Sequence, residues 1–183
     1  MSATFDPLTG RLSGAGVTES ARTFGALKSY FADQAAAAEL ADRVAYRVQA
    51  WEPKPEGEPG AVCCATTFLE PGLVGDEYVL TRGHFHVNAD RPELEVTVSG
   101  EGWLVLMTED RETRVEKMSA GSVHHVPPRT AHRVANVGDA PLVFVSYWAS
   151  ETGHDYQTII DHGFSARVRR VHGGPALVPI APR

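Results

Sequence analysis

Three features of the 183-residue sequence predict an all-β barrel or sandwich. From Ala61 to Ala149 short alternating segments follow one another, separated by glycine- and proline-bearing turns. Their spacing of about 8–12 residues is that of antiparallel strands in a closed or stacked sheet. Few helical patterns interleave with them, which argues against a parallel βαβ sheet. Hydrophobic residues make up 43% of the chain and charged ones 22%, so a chain of this length can bury a core without disulfides.

The elements read in order as follows. Residues 1–30 carry turn signals at Pro7, Gly10, Gly14 and Gly16 with little periodicity, and predict an arm wrapping the domain. Alanine-rich Phe31–Arg43 predicts one short helix, and Tyr46–Trp51 alternates as a strand. The run Glu52–Gly60 (EPKPEGEPG) has three prolines and no apolar residue, and predicts an exposed loop. Strands are then expected at Val62–Glu70, Glu77–Arg82, Glu93–Ser99, Trp103–Thr108, Arg111–Lys117, Ser122–Val126, His132–Asn136 and Leu142–Ala149. A last apolar segment, Ala166–Ile180, predicts edge strands or a dimer arm. The organisation expected is a single domain: 1–60 as arm, helix and first strand, 61–150 as barrel core, and 151–183 as C-terminal arm.

Charge and composition exclude several functions. The formal charge is −6, so a domain-wide basic footprint for nucleic acid is missing. No apolar run approaches the roughly 18–20 residues of a membrane span, and the N-terminus lacks the pattern of a secretory signal. The two cysteines, Cys63 and Cys64, are adjacent. Neighbours rarely meet disulfide geometry, so reduced thiols and a cytoplasmic location are expected.

Seven of the eight histidines fall between His84 and His162. In Gly83-His84-Phe85-His86 the two imidazoles sit two apart, on one strand face. Glu93 follows, then Gly100 after six further residues, and a later stretch runs Gly121, Pro127, His132, Asn136. Three imidazoles and a carboxylate from neighbouring strands form a mixed N/O set suited to a divalent transition ion. Glu95 shares the face of Glu93 and is a second inward carboxylate, either a ligand or a base.

These spacings resemble the two motifs of the cupins. They depart from them in placing six residues between His86 and Glu93, where three or four are usual, and Arg129 where glycine is usual. The resemblance implies a cupin fold, a double-stranded β-helix or jelly-roll barrel, with an N-terminal arm and one or two short helices. A narrower resemblance rests on Gly83-His84-Phe85-His86, Asp90-Arg91, Glu93, Val126-Pro127-Pro128, Ala131-His132-Arg133, Asn136-Val137-Gly138-Asp139 and Gly153-His154-Asp155-Tyr156. With Asp6–Gly10 and the Ala65–Gly72 region, these are similar to the cupin-type glucose-6-phosphate isomerases.

That resemblance implies metal ligation by His84, His86, Glu93 and His132, with iron(II) expected and manganese, nickel or zinc left open by ligand chemistry. It also implies sugar-phosphate contacts from Thr67, Thr81 and Gly83, a pocket lined by Tyr46, His154 and Tyr156, and a homodimer. Trp148 stands where a phosphate-contacting tyrosine is expected, and Glu95 where a non-acidic residue is usual. The implied reaction moves a proton between C1 and C2 of an open-chain sugar phosphate, with Glu93 as base and Glu95 as its rival; a hydride shift needs neither. A cupin dioxygenase, an isomerase of another sugar, or a sugar-binding cupin are the competing readings. Strand alternation turns Arg82 and Arg133 away from the neighbouring inward residues Gly83 and His132.

Overall fold

The computed structural model describes residues 2–180. Its strands are β1 (Thr4–Phe5), β2 (Leu12–Ser13), β3 (Val17–Thr23), β4 (Val44–Trp51), β5 (Val62–Leu69), β6 (Leu73–Val74) and β7 (Glu77–Tyr78). They continue as β8 (Phe85–His86), β9 (Glu93–Ser99), β10 (Glu101–Thr108), β11 (Thr113–Ser119), β12 (Val123–Val126), β13 (Thr130–Asn136) and β14 (Leu142–Ala149). Three more, β15 (His154–Asp155), β16 (Ala166–Val171) and β17 (Gly174–Pro179), follow the barrel. Two helices, α1 (Gln34–Glu39) and α2 (Gln157–His162), are each six residues long.

One six-stranded sheet has the order β12-β9-β14-β5-β4-β3, and a second has β11-β10-β13. Isolated antiparallel bridges, Leu80 to Ala135 and His84 to His132, extend the second sheet toward β8. From β11 to β14 successive strands alternate between the two sheets, the connectivity of a jelly-roll cupin barrel. Alternation sets the contents: Glu93, Glu95 and Thr97 of β9 are buried, while Leu94 between them is exposed. A continuous apolar core runs from Phe24 and Phe31 through Leu104, Leu106, Leu142 and Phe144 to Phe164 and Val168.

Glycines make the tightest approaches. A Cβ on Gly83 (φ +75°) would lie 2.8 Å from the His132 carbonyl oxygen, the Arg133 Cβ and the Phe164 ring, so only glycine lets this segment close on β13. Arg129, where cupins usually place glycine, adopts φ 59°, the left-handed conformation that explains the glycine preference.

The arm at residues 1–30 is more regular than its composition predicts. β3 pairs along its length with β4 and forms the sheet edge. Its side chains are mostly exposed, so no apolar alternation marks it in the sequence. The helix expected over Phe31–Arg43 contracts to α1. The Asp33 carboxylate accepts from the Ala36 N–H at 2.9 Å and caps its start. At its end the Leu40 and Ala41 N–H groups bond back three residues, and the Arg43 carbonyl is taken by the Phe24 N–H; pairing with the arm stops the helix. The β16–β17 hairpin joins β7 of the same chain, the edge-strand alternative for Ala166–Ile180.

Candidate active site and metal centre

Between the two sheets lies a cavity of about 220 Å3. At one end stand His84, His86, Glu93 and His132, each offering one ligating atom, all within 4.8 Å of one another. β8, β9 and β13 bring them together. The His84 N–H donates to the His132 carbonyl (3.2 Å) and the His132 N–H to the His84 carbonyl (3.1 Å), which sets the two rings 4.4 Å apart. The expected quartet is thus assembled as the motif spacing requires, and the six-residue gap before Glu93 closes as a turn between β8 and β9.

That turn has a second use. The His86 Nδ1–H donates to the Arg91 carbonyl at 2.7 Å, leaving Nε2 to face the Glu93 carboxylate at 3.3 Å. Holding one ring nitrogen this way fixes the tautomer and the orientation of the other. His84 Nε2 is buried with no hydrogen-bond partner among the described residues. Burial, with His132 and His154 beside it, pushes the His84 imidazole well below its ordinary pKa, so the ring is neutral and offers a lone pair. Burial raises the Glu93 carboxyl, but His132, His86 and His84 more than offset it and hold it well below the usual range. A buried carboxylate beside three imidazoles, with His84 Nε2 left unpartnered, is a donor set that fits a divalent transition ion.

Glu95 is 2% exposed. Its Oε2 has no partner among the described residues, and its carboxyl lies well above the usual range, through burial first and then the nearby Glu93 and Glu116 carboxylates. Both causes disfavour its ionised form. The quartet does not include it.

The remaining predicted residues, Tyr46, Thr67, Thr81, Gly83, Trp148, His154 and Tyr156, all line the cavity. The Thr81 hydroxyl oxygen accepts from the Val134 N–H at 3.0 Å, which leaves its O–H free to donate inward. Burial raises the Tyr46 and Tyr156 phenols despite Arg82 nearby, so both remain O–H donors. Trp148 pairs in register with Glu93. It packs on Cys63 and Ala65 and sets its ring edge-on to His154 at 5.8 Å. The adjacent cysteines divide, Cys63 buried and Cys64 partly exposed, and both are free thiols. Burial and the nearby Glu52 carboxylate push Cys63 up to about 11, which leaves no thiolate nucleophile at neutral pH.

Arg22 and Arg82 are cavity residues that alternation misplaced or left unmarked. The chain around Arg82 is not regular strand, and Gly83 at φ +75° reorients it. The Arg82 guanidinium lies 3.8 Å over the Tyr156 ring, inside the cavity. Arg133 of β13 also lines the cavity, and its guanidinium is buried over the Phe164 ring at 3.8 Å.

The sequence profile of the glucose-6-phosphate isomerase (GPI) family matches residues 21–175, a span that contains the whole quartet. The chain belongs to the glucose-6-phosphate isomerase family. Its relatives include the glucose-6-phosphate isomerase of Pyrococcus furiosus, 39% identical over 166 residues, covering 89% of this chain and 87% of that protein. The enzyme of the same name from Thermococcus onnurineus is 40% identical over 170 residues, covering 92% and 88%. Among solved structures, Bacillus subtilis oxalate decarboxylase superposes with a TM-score of 0.46 and 22% identity over 60% of this chain. The chain spans about a quarter of that protein's length, 26%. Within the described residues no helix is long and apolar enough to cross a membrane.

Proposed function

We propose that the protein interconverts glucose 6-phosphate and fructose 6-phosphate in the barrel cavity, with a divalent metal ion, iron(II) first, held by His84, His86, Glu93 and His132. The observation that carries the reading is the convergent three-histidine, one-carboxylate donor set at a cavity whose other walls bear arginine, threonine and tyrosine donors. Family membership supports the same substrate pair.

Bound there, the ion would supply Lewis-acid polarisation of the sugar's C1 and C2 oxygens. The chain does the rest. Arg82, with Arg22 beside the Tyr46 phenol, brings positive potential into an acidic protein. Together with the Thr67 and Thr81 hydroxyls it suits a phosphate group. Glu93 carries the proton between C1 and C2. Glu95 has one observation in its favour as the rival base, a buried carboxyl without a partner that lines the same cavity. Burial and the neighbouring Glu93 and Glu116 carboxylates disfavour the ionised form that a base needs, whereas the histidines around Glu93 favour it there. His154 and Tyr156, stacked with rings 8° from parallel, orient the sugar hydroxyls at the cavity mouth. The homodimer is supported by exposed Val62, Leu94 and Val123, all on strand positions opposite to inward residues of the six-stranded sheet.

The test is fructose 6-phosphate formation by EDTA-treated protein before and after addition of iron(II) or manganese(II). Turnover is expected to return with metal and to vanish in His132→Ala together with bound metal. Glu95→Gln is expected to keep its metal and most of its turnover. Loss of turnover with metal retained moves the base to Glu95. Ligand binding without turnover by metal-loaded wild type overturns the isomerase assignment.

A further inference from the structure

The proline-rich loop between β4 and β5 carries no assigned role, yet it is tied closely to the site. The Gly57 N–H donates to the Ser150 carbonyl at 2.8 Å, and the buried Ser150 hydroxyl donates to the Glu58 carbonyl at 2.5 Å and accepts from the Ala61 N–H at 3.2 Å. Within the loop Lys54 Nζ donates to the Pro59 carbonyl at 2.8 Å. The Ser150 contacts, and not the Lys54 bond, tie the loop to the barrel and bring the Glu56 carboxylate to His154, whose Nδ1 lies 2.8 Å from Glu56 Oε1. His154 is itself placed by pairing with His86 between β15 and β8. Gly153 makes the turn before it: φ is 65°, and a Cβ there would lie 2.9 Å from Val87 Cβ.

We propose that Glu56 is a positioning residue that holds His154 in the Nδ1–H tautomer, so that Nε2, on the opposite edge of the ring, accepts a hydrogen bond from a sugar hydroxyl in the cavity. Stability does not account for the pair. The Glu56 side chain is 53% exposed, and exposed ion pairs contribute little to folding. Orientation does account for it. Tyr156 stacks on one face of the His154 ring, while Trp148 and His84 meet it edge-on. These aromatic contacts fix the ring plane and leave the choice of protonated nitrogen to its hydrogen-bond partner. A carboxylate accepts only, so it selects Nδ1–H.

The kinetic part rests on the isomerase reading; the tautomer itself does not. In zinc-loaded, 15N-histidine-labelled protein, the His154 imidazole shifts should show one tautomer, with Nδ1 protonated. Glu56→Ala should show both tautomers. So should Glu56→Gln, whose amide presents either an oxygen or an NH2 to the ring. In metal-restored enzyme both variants should lose about tenfold in kcat, with KM within about twofold, in the range expected for a partner that orients a site histidine. Lys54→Ala, which loosens the loop without touching the pair, should keep both the tautomer and kcat. A single unchanged tautomer in Glu56→Ala, or undiminished kcat, overturns the proposal, as does a Lys54→Ala variant that loses as much as Glu56→Ala. If wild type converts no glucose 6-phosphate, the isomerase reading falls while the NMR shifts still decide the tautomer.

Discussion

His84 and His132 exchange both of their backbone hydrogen bonds, so two of the three imidazoles of the quartet are joined through the main chain before any ligand arrives. The bridge carries the first cupin motif to the second across the sheet. Its integrity depends on the residue preceding His84.

Gly83→Ala should therefore damage both fold and site. The new methyl meets a carbonyl oxygen, a Cβ and a ring, each at 2.8 Å, and the left-handed conformation adds strain. Together these cost about 2–3 kcal/mol. Thermal unfolding should shift down by several degrees, and metal analysis should show loss of bound ion, because the bridge and not an unrelated region gives way.

Asn136 closes the second motif, and its role is structural. Its side-chain NH2 donates to the Leu69 and Ala140 carbonyls, both at 2.9 Å, and its oxygen accepts from the Gly138 N–H at 3.0 Å. Asn136→Ala leaves those groups without their partner and should cost about 3 kcal/mol in denaturant unfolding. Metal affinity of the folded fraction should stay within about threefold of wild type.

Close to Glu95, Glu116 bonds Arg114 and accepts from His124 at 3.0 Å. Burial raises its carboxyl, but Arg114 and His124 outweigh that and lower it. A carboxyl depressed in the folded state stabilises above its unfolded pKa of about 4.5 and loses that contribution as pH falls through the folded value. Unfolding free energy of metal-free protein measured from about pH 6 to 3 should fall less steeply in Glu116→Gln.

Metal binding should stabilise by mass action, because the unfolded chain cannot present four convergent donors. At free metal about 1,000-fold above Kd the gain is about 4 kcal/mol. Calorimetry with and without manganese(II) should show a rise in Tm that His86→Ala abolishes.

The quartet was legible in the sequence because each half of it is local: His84 and His86 share a strand face, and His132 keeps a fixed distance from Pro127 and Asn136. Central strands were legible for a related reason: β9 alternates buried with more open positions, and β14 begins as an apolar run buried on both faces. β3 was not, because an edge strand with exposed side chains leaves no alternation to read. Arg82 was misjudged because alternation assumes regular strand, and Gly83 breaks it. Glu56 was out of reach. Its 98-residue separation from His154 closes only through the loop's attachment to Ser150, which no local pattern announces.

The His86 ring takes its orientation from the Arg91 carbonyl and not from a side chain. A main-chain oxygen survives any amino-acid replacement at position 91, so the genetic code offers no single change that deletes this acceptor. Selection on the histidine's tautomer therefore acts on the length and path of the turn and not on the side chain at position 91, and insertions or deletions between His86 and Glu93 are the changes that lineages should lack.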